Sequence, residues 1–389
     1  MRKTAIPSAY PAAGVFEFST IHVDLSCAMP GAKVHYTLDG SAPTEESPVY
    51  VRADGLLPLR GVHGEDVVRT IRAFAVAEGC APSDTVTFTY RFCCPPKGVF
   101  RHQLLRELSE EAPALIRIEE FDLDKMYLIV GTERAVLVDG GWDAEGDLPG
   151  LCRDLIGRDI PIDLVIAHGH PDHIAQIYRF LDADCEVYLP HADLEAAKSF
   201  GYDIAPETVH DIAGDTVFDL GCTTLRSYLV SGHTPGGIVL VDEKTGDLFA
   251  SDELGSNRRY VPDTAWLQLS GCSMESCLAG LDAFLQATAG KLTRIFTGHN
   301  DEILDANAYL AALKRALQNA VEQGEAALTP SLRSAAESFG SGSATIVGDW
   351  RIDPIWVGAN VQFIYEADRL AVPPRYAPGF DPNVRTSLD

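Results

Sequence analysis

The sequence predicts two fold classes in one chain, a small all-β sandwich followed by a layered α/β domain. Three observations carry this reading. The first ~92 residues alternate apolar with polar side chains, are rich in β-branched and aromatic residues, and show no helical period of useful length. From residue 114, short apolar strands mix with segments of helical spacing. At 389 residues the chain is too long for one ordinary domain and about right for two.

The strands of the first part are "KVHYTL", "TIRAFAV" and "TVTFTYRF", and "DGSAPTEESP" supplies a turn-rich connection between the first two. "CCPPKG" at 93–98 punctuates the chain, its two prolines marking a linker. Beyond it, "MYLIV" and "RAVLVD" form a hairpin through "GTE", and "IDLVIA" is a buried strand. "HIAQIYRFL" and "DLEAAKSF" have helical spacing. "TLRSYLV", "GIVLVD", "DLFAS" and "RIFTG" follow as strands. "SMESCLAGLDAFLQAT" opens with Ser273 and Glu275 and repeats leucine at helical intervals, and "ANAYLAALKRALQNAVEQG" is an amphipathic helix stopped by Gly324. The tail adds two extended pieces around "WRIDPIW" and "VQFIYE". This gives an accessory β-sandwich over 1–95, a layered α/β domain over 96–325, and an extension over 326–389. Trp350, Trp356, Phe363 and Tyr365 of that extension either cover the site as a lid or pack against the domain.

Composition narrows the function. An apolar share of 46% supports a sizeable core. With 56 acidic against 31 basic residues the net charge is -25, a field that repels a phosphate backbone, so nucleic acid is not expected as the partner. No run approaches the ~20 apolar residues that span a bilayer, and "MRKTAIPSAYPAAGVF" is too broken by proline to be a signal peptide. Nine cysteines, an odd number without a C-x-x-C, suit reduced thiols in a cytoplasm. Exposed sandwich edges tend to pair, so a homo-oligomer is expected.

The chemistry concentrates in "AHGHPDHIA" at 167–175. Protonated imidazoles repel one another, and neutral buried ones each need a partner. In extended backbone His168 and His170 face the same side. Pro171 fits the first turn of a helix, from which Asp172 and His173 project beside them. A dication resolves the crowding, since it binds neutral imidazole and favours deprotonation. The cluster offers too many ligands for one tetrahedral ion. A second set stands at strand ends: His233 in "SGHTPGG", Asp252 in "LFASDE" and His299 in "IFTGHN". Each alone has a plainer explanation, an exposed histidine or a capping aspartate.

The succession H-G-H-P-D-H, G-H-T-P-G, S-D and G-H resembles the metallo-β-lactamase superfamily, over about Ile116 to Gly324. The resemblance implies a four-layer αββα sandwich and a centre of two divalent metals, zinc first, with manganese or iron as alternatives. It implies that His168, His170 and His233 bind one metal, that Asp172, His173 and His299 bind the other, and that Asp252 bridges. "VLVDGG" matches the superfamily's early aspartate motif and casts Asp139 as the residue that orients the ligand loop. Asp252 argues against a true β-lactamase, because drug-cleaving members usually lack the bridging aspartate. His170 argues against the diiron flavoprotein branch, which carries glutamate there. The pattern is most similar to glyoxalase II-like thioesterases and acyl-homoserine lactonases.

The implied reaction is hydrolysis of a small ester, thioester or lactone by a metal-bridging hydroxide, with Asp172 also able to relay a proton to the leaving group. A phosphodiesterase and a mononuclear-iron persulfide-dioxygenase-like enzyme are the alternatives. For the small-molecule substrate, Arg258 and Arg259 could pin an anion, Tyr260 could hydrogen-bond a carbonyl, and Trp266 could wall the pocket, although paired charges usually face water. Separately, "VHYTLDGSAPTEESPVY" resembles the C-terminal domain of chitobiases and β-hexosaminidases over about residues 14–92, an immunoglobulin-like module. It brings no catalytic residue.

Overall fold

The computed structural model of the chain describes residues 2–323, apart from 17–19, 52–55, 121–123, 184, 257–263, 269–271 and 300–302, together with strands 345–351 and 360–366. Met1–Lys97 form the body of one compact unit and Gly98–Ser331 that of a second.

The first unit is built of two antiparallel-rich sheets. One has three strands, Ser8–Tyr10, Thr20–Ser26 and Leu57–Arg60. The other has five, in the order Val15–Phe16, Val86–Cys93, Asp66–Val76, Lys33–Thr37 and Val49–Tyr50. Alternation puts Ile21, Val23 and Leu25 of the first sheet and Ile71, Ala73, Tyr90 and Phe92 of the second into the interior. The hydroxyl of Tyr50 donates to Asp24 across the two sheets, at 2.7 Å. The expected immunoglobulin-like sandwich is present.

The second unit holds two six-stranded sheets. The first runs Glu186–Tyr188, Ile162–Val165, Ala135–Val138, Asp124–Val130, Ala114–Glu120, Arg101–Arg106. The second runs Val217–Asp219, Thr224–Leu229, Ile238–Asp242, Leu248–Ser251, Arg294–Thr297, Leu304–Asp305. Between the sheets lies an apolar layer of Leu115, Tyr127, Ile129, Val136, Val138 and Val165 from one side and Leu225, Ile238, Leu240, Phe249 and Phe296 from the other. The outer face of the first sheet packs Leu148 and Cys152 of helix Leu148–Ile156 and Phe180 of helix Ile177–Asp182 against Ile118, Leu128 and Leu137. The outer face of the second packs Leu281 and Phe284 of helix Met274–Ala287 and Leu310, Leu313 and Leu317 of helix Ala306–Gln323 against Val239, Val241 and Leu248. Helix, sheet, sheet, helix is the predicted four-layer order. Covering on both faces explains why Asp124–Val130 is buried at every residue where an ordinary surface strand would alternate.

Two details depart from the sequence reading. The run "HIAQIYRFL" is two short helices, Pro171–Ile174 and Ile177–Asp182. The N–H groups of Ala175 and Gln176 donate to the carbonyls of Gly141 and Gly140, so the helical ladder is interrupted there. Helix Leu148–Ile156 was not anticipated; Asp147 caps it by accepting from Gly150 N at 2.9 Å. In the tail, strands Thr345–Arg351 and Asn360–Glu366 pair antiparallel, and the latter lies parallel to Thr264–Gln268 in a separate three-stranded sheet. Among the described residues no helix is long and apolar enough to cross a membrane. No disulfide joins any of the nine cysteines, all of which are among the described residues.

Candidate metal centre

The site forms where strands of both sheets give way to loops. Strand Ile162–Val165 runs on into His168 and His170, while His233 comes from the loop before Ile238–Asp242. The main-chain bond from Ile238 N to Ala167 O, 3.1 Å, ties these two segments together. The three imidazoles gather so closely that one ligand atom from each lies within 4.8 Å of the others. His233 Nε2 is 2.8 Å from His170 Nδ1, and the His168 ring meets both edge-on. His168 is fully buried, yet both of its ring nitrogens lack a hydrogen-bond partner among the described residues. A buried imidazole with two open nitrogens is costly unless something binds it, so this group fits a cation.

The second group is Asp172, His173, Asp252 and His299, again with one ligand atom each inside 4.8 Å. Asp172 and His173 ride on the helix Pro171–Ile174. Asp252 follows strand Leu248–Ser251, and His299 follows Arg294–Thr297. Carboxylates outside the group fix its rings. Asp139 Oδ2 accepts from His173 Nδ1 at 2.9 Å and from Ser251 Oγ at 2.7 Å, while Asp139 Oδ1 accepts from Ala167 N at 2.9 Å. Asp124 Oδ1 lies 3.0 Å from His299 Nδ1. With both Nδ1 atoms engaged, the Nε2 atoms turn toward Asp172 and Asp252, at 3.0–3.8 Å. His173 Nε2 has no hydrogen-bond partner among the described residues. Carboxylate-backed imidazoles are the usual device for presenting the far nitrogen to a metal.

Electrostatics separates the two groups. Burial, reinforced by the neighbouring imidazoles, drives His168 well below the usual imidazole value and His170 down to about 3. Both rings are neutral at pH 7, with lone pairs free for a ligand bond. Burial also opposes a charge on His173 and His299, but here carboxylates win. Asp172 and Asp139 carry His173 well above its ordinary value, and Asp252 and Asp124 carry His299 up to about 9. Asp252 sits well below the carboxylate range, since His299 and His173 outweigh its burial. Its charge also acts on His168 and His170, as that of Asp172 does on His170.

Residues 125–318 match the family described as the metallo-beta-lactamase superfamily, and residues 11–87 match the chitobiase/beta-hexosaminidase C-terminal domain. The second domain is a member of the metallo-beta-lactamase superfamily. Among solved structures, a metallo-beta-lactamase from Pontibacter korlensis is similar at 16% identity and a TM-score of 0.42, over 56% of this chain and 100% of that one. The DIM-1 metallo-beta-lactamase exposed to ceftazidime is similar at 16% identity and a TM-score of 0.43, over 58% of this chain and 99% of that one. No curated protein matches the chain. The superfamily consists in general of metal-dependent hydrolases, and this metallo-beta-lactamase-fold domain carries a His/Asp cluster able to bind metal ions.

The structure brings His168, His170, Asp172, His173, His233, Asp252 and His299 into one site, and Asp139 directly behind it. Arg258, Arg259, Tyr260 and Trp356 lie outside the described residues. Trp266 lies on strand Thr264–Gln268, Trp350 on Thr345–Arg351, and Phe363 and Tyr365 on Asn360–Glu366. Sequence reasoning missed Asp124, Asp193 and Glu253. Glu253 stands 3.8 Å from His168 Nδ1, and Asp193 binds both histidine loops. Nothing in a single sequence marks these carboxylates, although Asp193 and Glu253 sit inside segments already singled out, "DLEAAKSF" and "LFASDE".

Proposed function

We propose that the second domain is a dinuclear metal-dependent hydrolase of small esters, thioesters or lactones. The observation that carries this reading is the pairing of two adjoining ligand groups, one of three imidazoles and one of two imidazoles with two carboxylates. His168, His170 and His233 would hold one divalent ion and Asp172, His173 and His299 the other, with Asp252 serving both. Imidazole and carboxylate together suit zinc, with manganese and iron also accommodated. When bound, two such ions supply an activated water and polarise the bond to be broken.

The protein's own groups do the rest. Asp139 and Asp124 hold the rings of His173 and His299 so that each presents Nε2. Asp252 offsets the mutual repulsion of two dications with its full negative charge. Most ligands are closed off from solvent, and Asp172, with a side chain 11% exposed, is the most open of its group. That exposure supports a role for its carboxylate in carrying a proton to the leaving atom. The ring of Phe200 meets His170 edge-on at 5.7 Å and gives that side an apolar flank, which suits the acyl part of an ester better than a phosphate.

Elemental analysis of the purified protein, with a panel of small esters, thioesters, lactones and phosphodiesters, tests the reading. Two divalent ions per chain and turnover of a carboxylic ester, thioester or lactone are expected. One iron and no second metal would overturn it, and turnover confined to phosphodiesters would replace the substrate class.

A further inference from the structure

The three-imidazole group depends on two loops far apart in sequence, the one around His168 and His170 and the one around His233. One buried side chain joins them. Asp193, fully buried at the end of the turn His191–Asp193, accepts from Gly169 N at 3.1 Å through Oδ2. The same oxygen accepts from Thr234 Oγ1 at 2.7 Å, and Oδ1 accepts from Gly236 N at 2.8 Å. Gly169 lies between the two histidines of the first loop, and Thr234 follows the histidine of the second. The fit is close enough to dictate the glycines. A Cβ on Gly169 would stand 2.6 Å from the Asp193 carbonyl oxygen, and one on Gly236 would stand 2.7 Å from Asp193 Oδ1. The connection continues to a ligand, because Glu253 Oε1 lies 3.2 Å from the Thr234 hydroxyl and 3.8 Å from His168 Nδ1.

We propose that Asp193 is the positioning residue of the three-imidazole group, its carboxylate clasping the two loops at the spacing that lets His168, His170 and His233 share one ion. The idea rests on the metal-hydrolase reading and adds a residue to it. Three donors converge on two oxygens, so both oxygens must accept. An amide at this position keeps one acceptor and turns an N–H toward another donor. The second group has its own supports, Asp139 and Asp124, and makes no direct use of the clasp. A defect at Asp193 is therefore local to one ion.

The test strips the full-length protein with a chelator and titrates zinc alone, then cobalt(II) alone, following affinity by chelator competition and the cobalt spectrum. Wild type is expected to take up two ions. Asp193→Asn should bind one ion normally and the other at least about tenfold more weakly, the scale of losing a group that orients ligands. Its cobalt spectrum should coincide with that of His233→Ala, which removes the same half. Two unchanged affinities would overturn the proposal, and so would equal weakening of both ions at an unchanged Tm. If Asp193→Asn does not fold, Thr234→Val and Thr234→Ser decide. The valine keeps the shape without the hydroxyl and should lose about tenfold at one ion, and the serine should restore it. Equal affinities in that pair would overturn the clasp. A wild type that binds a single ion overturns the two-ion reading instead, and the Thr234 pair then judges the clasp on that ion.

Discussion

The two halves of the metal centre reach the same end by opposite means. In the three-imidazole half, burial keeps His168 and His170 neutral: His170 is pushed to about 3, and Glu253, 3.8 Å from His168 Nδ1, is itself driven upward by burial. The mixed half is held by charge: His173 and His299 lie among Asp139, Asp124, Asp172 and Asp252, which carry them above their ordinary values. One half is a cluster of buried imidazoles, and the other is a network of opposite charges in which His173 Nε2 still lacks a hydrogen-bond partner among the described residues. The difference teaches that metal-free protein should fall apart unevenly, and four measurements break or sharpen the comparison.

The largest effect is expected from Asp252→Asn, which removes the charge placed between the halves. The mixed half should lose its ion, the three-imidazole half should keep one at reduced affinity, and hydrolysis should fall by about two orders of magnitude or more. Two tightly held metals and a near-normal rate in this variant would show Asp252 to be only a strand-end cap. Next comes Asp139→Asn. The ring of His173 loses its anionic support, so the mixed half should bind zinc roughly 10–100-fold more weakly while the other half is untouched. Competition titration that finds both halves weakened equally would erase the distinction drawn above.

Chelation should have a smaller effect, read as a shift in Tm. An ion present at 100 times its Kd stabilises the folded chain by about 2.7 kcal/mol. In a domain of this size each kcal/mol moves Tm by roughly 2–4 °C. Calorimetry that finds the same Tm with and without chelator would argue against resident metals. The last measurement is the response of the metal-free protein to pH. His299, at about 9 when folded against an ordinary 6.5, contributes stability in full below about pH 6.5 and loses it as pH rises through about 9. His168 and His170 act in the other direction. Their depressed values mean that the unfolded chain takes up protons below about pH 6.5 while the folded one does not, so stability also declines on the acid side. Melting curves from pH 5 to 9 should therefore peak between these limits. A flat profile from 6.5 to 9 would contradict the ion-pair account of the mixed half.

Much of this was legible in the sequence, for identifiable reasons. The hairpin of Asp124–Val130 with Ala135–Val138 follows from apolar runs around a tight turn, and its pairing is as expected. The crowding of imidazoles at 168–173 has few inexpensive explanations, so a cation site could be read before any coordinates. Helix Leu148–Ile156 escaped notice because its buried positions, Leu148, Cys152 and Ile156, are diluted by Pro149, Gly150, Arg153 and Asp154. The supporting carboxylates escaped for a different reason. Asp193 is 41 residues from Thr234, and Asp124 precedes His299 by most of the domain. An isolated aspartate looks the same in sequence whether it faces water or a buried loop, and only the fold decides between them. Arg258, Arg259 and Tyr260 follow Asp252 closely in sequence, and closeness in sequence alone assigns a side chain no role.

Each half of the centre draws on both sheets. His168 and His170 follow a strand of the first and His233 precedes a strand of the second; Asp172 and His173 belong to the first, Asp252 and His299 to the second. An ion in either half is thus a cross-link between segments more than sixty residues apart, doing without sulfur what a disulfide does in an oxidising compartment. The apolar layer of Tyr127, Phe249 and Phe296 holds the sheets together along their length, and ions bound as proposed would fasten the end where that layer gives way to polar loops. In the loaded protein the sheets cannot part at that end without releasing metal. Opening at the mouth of the sandwich and unfolding of the whole domain then become a single event, whereas in the stripped protein they are two.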